Sequence, residues 1–288
     1  MIGAVVREAR PKQWLKNVLV FAAPAALGDI STDLIVRSVV VFVAFCMTAS
    51  GTYYWNDIKD VEADRAHPTK RNRPIASGAV PLGLARVIGT LLLLGGPLLA
   101  FAVRPEAGGV VGLYAILTVG YSVSWKHIAL LDLALVASGF VLRAMAGAAG
   151  TDTRMSSWFV MCTSFGSFFI VAGKRFAELL EMGDNATVTR RSLSAYSVPY
   201  LRQLLSVSCT ATVVSYCLWA FENGESASGA LPWHGLSIVP MVLALLRYMM
   251  VLERGGGGAP EEVFTKDRSL QLYGLAWVVV YALGVYGA

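Results

Sequence analysis

Residues 56–64 read N-D-I-K-D-V-E-A-D and gather carboxylates at the end of a long apolar run. If one helix continues through this stretch, Asn56, Asp60 and Asp64 lie one turn apart on a single face, with Asp57 one step to the side. Carboxylate and amide oxygens are suitable ligands for Mg²⁺. The spacing therefore predicts a divalent-cation site, and the alternative is a solvated helix end with ordinary charges.

The segment that follows, residues 67–74, is basic and reads H-P-T-K-R-N-R-P. Lys70, Arg71 and Arg73 are candidates for binding phosphate. Cations beside a metal site are what a polyphosphate ligand requires, so we expect such a ligand here. Tyr53, one turn below Asn56, is either a hydrogen-bonding partner of that ligand or an aromatic side chain at the membrane interface.

Further charged side chains stand at the ends of other apolar runs. Lys16 with Asn17, and Lys126 in a tight turn between two runs, are candidates for contact with an anion. The alternative for both lysines, as for Lys12, is extension to lipid headgroups.

The sequence G-K-R-F-A-E, residues 173–178, ends another apolar run. Lys174 and Glu178 are either an intrahelical pair or, with Arg175, a second charged wall of the same site. Arg143 lies in the middle of an apolar run, where a charge needs a partner. Holding two helices together and contacting substrate are equally good explanations for it.

Composition indicates which elements position these side chains. Hydrophobic residues make up 56% of the chain and charged residues only 15%, with a mean hydropathy of +0.58. A soluble domain is about a quarter charged, so this chain is an all-α polytopic membrane protein. Its net charge of +5 is therefore not a sign of nucleic-acid binding. The four cysteines form no C-x-x-C pair, which argues against zinc and against a disulfide framework.

Nine apolar segments are predicted as spans: about 15–28, 33–56, 81–102, 108–125, 128–149, 156–173, 198–221, 232–252 and 269–287. With nine spans, nearly all basic loops fall on one side, which predicts a cytoplasmic N-terminus and a cytoplasmic acidic motif in the plasma (inner) membrane. The first segment resembles a signal peptide, but we interpret it as a retained span because many others follow. Residues 1–288 are predicted to form one domain.

Three strings carry a resemblance: R-P-K-Q-W-L-K-N, then N-D-x-x-D-V-E-A-D-R-x-H-P-T-K-R-x-R-P-I-A, then V-A-G-K-R-F-A-E-L. The chain resembles the UbiA superfamily of intramembrane prenyltransferases, and within it a branch that transfers phosphoribose. The likeness implies a bundle of nine helices in which a first Asp-rich motif binds Mg²⁺ and a diphosphate. The family's second D-x-x-x-D motif is replaced here by Lys174, Arg175 and Glu178, which removes carboxylates and adds cations.

The resemblance implies transfer of 5-phosphoribose from phosphoribosyl pyrophosphate to decaprenyl phosphate for cell-wall precursor synthesis. It implies metal-ligand or catalytic roles for Asn56, Asp57, Asp60 and Asp64, with Asn56 and Asp60 first. The cations named above would hold the donor phosphates. A prenyltransferase that joins a prenyl diphosphate to an aromatic acceptor is the nearest alternative, and a transporter or lipid flippase a more distant one. The sequence leaves the oligomeric state open, a homo-oligomer included.

Overall fold

The structure is a computed structural model, and it describes residues 1–26, 28, 31–182, 193–224, 231–258 and 260–286. These ranges contain helices and no strand. The α-helices in chain order are α1 (Ile2–Glu8), α2 (Ala22–Ala25), α3 (Thr32–Lys59), α4 (Val61–Ala66), α5 (Leu82–Val103), α6 (Pro105–Val123), α7 (Leu131–Thr151), α8 (Ser157–Met182), α9 (Val198–Gly224), α10 (Trp233–Leu236), α11 (Ile238–Glu253), α12 (Pro260–Lys266) and α13 (Arg268–Tyr286). Four 3₁₀ helices join them: Pro11–Phe21, Lys70–Asn72, Trp125–His127 and Leu193–Ala195.

Eight helical segments of the described chain are long and apolar enough to cross a membrane. They are α3, α5, α6, α7, α8, α9, α10 with α11, and α13, and each coincides with a predicted span. The prediction of an all-α polytopic membrane protein is therefore confirmed.

The first predicted span, 15–28, differs from the other eight. In place of one α-helix, the chain forms the 3₁₀ helix Pro11–Phe21 followed by the single turn α2. A 3₁₀ helix rises about 2.0 Å per residue, so the two pieces have a combined contour of roughly 28 Å, close to the hydrocarbon thickness of a bilayer. The count of nine spans and the cytoplasmic N-terminus both stay predictions.

The chain divides into two compact units, described separately below. The first comprises Met1–Ser124 with Leu142–Arg154, and the second Trp125–Val141 with Met155–Ala288. Helix α7 contributes its first half to the second unit and its second half to the first unit.

In the first unit, α3 packs closely against α5 because glycines face the contact. A Cβ atom on Gly51 would meet the backbone of Leu93, and one on Gly96 would meet the Ala44 carbonyl and the Thr48 side chain. Small residues that let helix backbones approach are typical of membrane helix pairs. This contact fixes the helix whose end carries the acidic motif.

In the second unit, α8 packs against α9 around a core that includes Phe169, Phe176, Leu201 and Leu205. Tyr248 of α11 joins this core, with its ring 5.6 Å from that of Phe169. The packing fixes the end of α8, where Lys174, Arg175 and Glu178 stand.

Candidate active site

The acidic motif lies where α3 ends and α4 begins. Asp60 separates the two helices, with φ −93° and ψ 9°. Two backbone hydrogen bonds nevertheless keep the helical spacing, from Asp60 N to Asn56 O (2.9 Å) and from Asp64 N to Asp60 O (2.8 Å). Asn56, Asp60 and Asp64 are therefore spaced one helical turn apart, as predicted, although the helix is interrupted at Asp60.

Two of the four motif side chains are buried and held by arginines. Asp57 accepts hydrogen bonds from Arg10 Nη2 at both carboxylate oxygens, each at 2.6 Å. Arg73 Nη1 donates to Asp57 Oδ1 (3.0 Å) and to Asp64 Oδ2 (2.7 Å). Asp57 and Asp64 are each about 3% exposed. Arg73 therefore forms charge-assisted hydrogen bonds that bridge two buried carboxylates.

The other two motif side chains, Asn56 and Asp60, are half-buried. Within the described part of the chain, neither side chain forms a hydrogen bond or an ion pair. Their oxygens are therefore the ones in the motif that are accessible to a ligand.

Only some of the side chains in this motif are suitable ligands for Mg²⁺. Across the described residues, no three His, Cys, Asp or Glu side chains are arranged to hold a metal ion. Mg²⁺ is usually held by one or two carboxylates together with waters and substrate phosphates. Asn56 and Asp60 fit that requirement, whereas Asp57 and Asp64 already hold arginines, so their assignment as metal ligands stays a prediction.

A buried acid that the sequence analysis missed lies beside Asp57. Glu8, at the end of α1, is 1% exposed. Burial, reinforced by the neighbouring Asp57 carboxylate, raises the pKa of Glu8 to about 8. Glu8 stands 49 positions before Asp57 among basic residues, and sequence spacing gives no sign that the two are neighbours.

In the basic loop after α4, one cation is bound to the acidic motif and two are accessible to solvent. Arg73 binds the motif as described, whereas Lys70 and Arg71 are exposed. Lys70 and Arg71 are therefore the cations of this loop that are accessible to a ligand, and phosphate contact by Lys70, Arg71 or Arg73 stays a prediction.

The N-terminal candidates are engaged by other side chains. Asn17 is fully buried and accepts a hydrogen bond from Arg143 Nε at 2.7 Å, while Arg143 Nη2 donates to the Tyr114 hydroxyl at 3.2 Å. The guanidinium of Arg143 also lies over the Tyr114 ring, 4.9 Å from its centroid. Of the two explanations for Arg143, these contacts favour the one in which it holds helices together.

Lys16 donates to Gln13 Oε1 at 2.6 Å and is half-buried. The Arg10 guanidinium lies 4.8 Å from the centroid of the Tyr53 ring, which is a cation–π contact. Tyr53 therefore supports the arginine that binds Asp57. Substrate contact by Lys16, Asn17 or Tyr53 stays a prediction.

In the second unit, the end of α8 forms a buried ion network. Arg175 donates to Asp132 Oδ2 (Nε, 3.3 Å) and to Glu178 Oε2 (Nη1, 2.7 Å). Lys174 is partly exposed, and its Nζ lies 3.9 Å from Glu178 Oε1. The two carboxylates and the two cations, Lys174 and Arg175, carry no net charge when all four are ionised, and Lys174 is the more exposed of the two cations. Lys126, in the 3₁₀ helix Trp125–His127, is half-exposed.

Asp132 and Tyr196 complete this network, and the sequence analysis missed both. The Tyr196 hydroxyl donates to Asp132 Oδ1 (2.7 Å) and accepts from the backbone N–H of Leu130 (2.6 Å). Burial raises the pKa of the Tyr196 phenol, so it remains a proton donor at neutral pH. Asp132 is a charge in an apolar run, and the rule applied to Arg143 would have found it.

Comparison with known proteins agrees with this fold. Residues 17–284 match the model of the UbiA prenyltransferase family. Relatives named decaprenyl-phosphate phosphoribosyltransferase are 43% identical in Corynebacterium glutamicum (99% of this chain, 88% of the relative) and 40% identical in Mycobacterium tuberculosis (99% and 95%). The resemblance drawn from the motifs is therefore confirmed.

A solved structure of a UbiA homologue from Archaeoglobus fulgidus, bound to DMAPP and Mg²⁺, superposes with a TM-score of 0.72 at 15% identity, covering 99% of both chains. At that identity the likeness concerns the fold, and it agrees with the helical architecture described above.

Proposed function

Because the chain belongs to the UbiA prenyltransferase family, we propose that it transfers 5-phosphoribose from phosphoribosyl pyrophosphate to decaprenyl phosphate and releases pyrophosphate. The observation that carries this proposal is the similarity over 99% of the chain to relatives named for that activity. The intact N-D-x-x-D-x-x-x-D motif and the cations around it supply the chemistry that the reaction needs.

Asn56 and Asp60 are the proposed protein ligands of Mg²⁺. They share one side of the α3–α4 junction, and their side-chain oxygens are accessible. Mg²⁺ bound there together with the donor would neutralise the negative charge that develops on the leaving diphosphate. Two protein ligands leave the remaining positions of its coordination shell for water and phosphate oxygens.

Asp57 and Asp64 act, in this proposal, mainly through Arg10 and Arg73. Arg73 ties the basic loop to the motif by its bonds to both carboxylates. That attachment holds Lys70 and Arg71, three and two positions earlier, close to the motif in sequence and in space. Lys70 and Arg71 then bind the diphosphate of the donor.

Lys174 is proposed to bind the phosphate at C5 of the donor. Its side chain is 45% exposed, and the network below it fixes the end of α8. Arg175 has both of its described carboxylate partners inside the protein, so it is assigned a positioning role. Lys16 and Lys126 remain secondary candidates.

The acceptor needs little proton transfer. A phosphate monoester has a second pKa of about 6, so decaprenyl phosphate is an oxygen nucleophile at neutral pH without a general base. Its oxygen bonds to C1 of the ribose while the bond from C1 to the diphosphate breaks. Positioning and charge neutralisation account for most of the acceleration in such a reaction, and the chain's three histidines are not required.

The proposed location is the plasma (inner) membrane, with the acidic motif facing the cytoplasm. The asymmetry of basic residues between alternate loops supports this orientation, and phosphoribosyl pyrophosphate is a water-soluble metabolite that would reach the site from that side.

The test is transfer of label from phosphoribosyl pyrophosphate into the lipid phase by purified protein, Mg²⁺ and decaprenyl phosphate. Asp60→Ala should abolish the transfer while the protein stays folded in detergent. Glu62→Ala is the matched control, because Glu62 is exposed on α4 and pairs with Arg65 (2.9 Å). Normal turnover by Asp60→Ala would contradict the site assignment.

A further inference from the structure

The turn that carries Lys126 has a strained backbone at Leu130. In the described part of the chain, three residues other than glycine have positive φ: Arg10, Leu130 (64°) and Asp152. A bulky residue such as leucine rarely adopts this left-handed region, and the bias against it is about 10-fold. The Leu130 side chain is 48% exposed, so its packing contributes little to holding the backbone there.

The hydroxyl group of Tyr196 holds this backbone in place. It accepts a hydrogen bond from the N–H of Leu130 at 2.6 Å and donates one to Asp132 Oδ1 at 2.7 Å. Tyr196 is 6% exposed and Asp132 is fully buried, so little water competes for either bond. Because Asp132 receives the phenolic proton, the oxygen of Tyr196 is left as an acceptor for Leu130.

Backbone hydrogen bonds connect Leu130 to the cation. The N–H of Ile128 donates to the Trp125 carbonyl (3.1 Å), and the N–H of Asp132 donates to the Ile128 carbonyl (3.0 Å). These bonds join the 3₁₀ helix that contains Lys126 to the first turn of α7. Leu130 lies inside this connection, so a change in its φ and ψ would redirect Lys126, four positions earlier.

We propose that Tyr196 is a positioning residue for donor binding, which holds the strained turn and thereby directs Lys126 to a phosphate of phosphoribosyl pyrophosphate. The proposal rests on the proposed function for the identity of the donor, and it makes Lys126 a binding residue instead of a secondary candidate. Tyr196 acts through Lys126 and does not touch the donor. Without the hydroxyl group, the left-handed conformation of Leu130 becomes a minor one, and the apparent affinity for the donor falls by the same factor.

The test measures the kinetics of purified Tyr196→Phe, which keeps the ring and removes the hydroxyl group. We expect the donor KM to rise about 10-fold. The kcat and the KM for decaprenyl phosphate should stay within about 2-fold of wild type, because a phosphate contact away from C1 contributes equally to substrate and transition-state binding. Tyr200→Phe is the matched control, since its ring stacks on that of Tyr196 at 6.2 Å and its hydroxyl group bonds to no described residue.

Substitutions of Leu130 separate a positioning role from a general loss of structure. Glycine adopts positive φ about as readily as negative φ, so Tyr196→Phe/Leu130→Gly should return the donor KM to within about 3-fold of wild type. Leu130→Ile leaves Tyr196 in place and should raise the donor KM, because positive φ is still less favourable for a β-branched residue. If Tyr196 acts through Lys126, Lys126→Ala/Tyr196→Phe should have the same donor KM as Lys126→Ala.

A wild-type donor KM in Tyr196→Phe would overturn the positioning role, as would a raised KM that Leu130→Gly does not lower. Additive effects of Lys126→Ala and Tyr196→Phe would also overturn it, because Tyr196 would then act elsewhere. If Tyr196→Phe does not fold, Leu130→Ile decides, and a wild-type donor KM in that variant contradicts the proposal. Absence of labelled lipid from the wild-type protein is a different result, which removes the proposed function and with it the donor assigned to Lys126.

Discussion

Replacing Arg175 with methionine tests whether the cations at the end of α8 bind substrate or hold the fold. The Arg175 side chain is 4% exposed and that of its partner Asp132 is fully buried. Removing one member of a buried ion pair leaves an uncompensated charge and costs about 3–5 kcal/mol. We therefore expect Arg175→Met to lower the free energy of unfolding by about that amount.

The second unit offers a matched control in Arg202→Met. Arg202 binds Glu253 through two hydrogen bonds of 2.8 and 3.0 Å. Both side chains of the Arg202 pair are about half exposed, and exposed pairs contribute little to stability. The difference in burial between the two ion pairs should therefore decide the difference in stability between the two variants.

The assay is thermal unfolding in detergent, followed by tryptophan fluorescence, with the KM for the donor measured on the same preparations. Arg175→Met/Asp132→Asn should regain more than half of the lost stability, because the second change removes the buried charge. The KM should change little at temperatures where Arg175→Met remains folded. A variant as stable as wild type with a strongly raised donor KM would show that Arg175 binds substrate, and would refute the reasoning.

Three further predictions concern the remaining charges and the packing of the first unit. Lys174→Ala should raise the KM for phosphoribosyl pyrophosphate and leave that for decaprenyl phosphate unchanged, and an unchanged donor KM in steady-state kinetics would count against a phosphate contact. Gly147→Ala should destabilise the protein by about 1–3 kcal/mol through overpacking, because a Cβ there meets the Val20 carbonyl, whereas Gly112→Ala, with open space around it, should be neutral or stabilising in the same unfolding assay. The folded protein holds a proton on Glu8 up to a pKa of about 8, against an ordinary value of 4.5; without divalent cations, the free energy of unfolding should therefore fall as pH rises through this window. Glu8→Gln should remove that slope, and an equal slope in both proteins would contradict the burial of an ionisable Glu8.

Local pattern predicted much of the fold, because each span is a continuous apolar run that hydropathy detects. The run that became the 3₁₀ helix Pro11–Phe21 is the exception. Its tertiary contacts, such as the bond from Arg143 to Asn17, join residues 126 positions apart and are invisible to local propensity. The one-turn spacing of the acidic motif was likewise predictable, since it depends on neighbouring residues.

The partners of the charged residues were not predictable in the same way. Residue type made Arg73 and Arg175 candidates for phosphate binding, but type does not reveal that buried carboxylates lie beside them. Glu8 lay among basic residues, and its place beside Asp57 depends on the packing of α1. Long-range contacts decide which charges are accessible to a ligand, and sequence spacing does not contain them.

The central claim is tested most directly by incubating the purified protein with labelled phosphoribosyl pyrophosphate, decaprenyl phosphate and Mg²⁺, and measuring label in the lipid phase. Wild-type protein should yield labelled lipid and stoichiometric pyrophosphate, and Asp60→Ala should yield neither. No labelled lipid under any metal condition, together with a product from a prenyl diphosphate and an aromatic acceptor, would contradict the account.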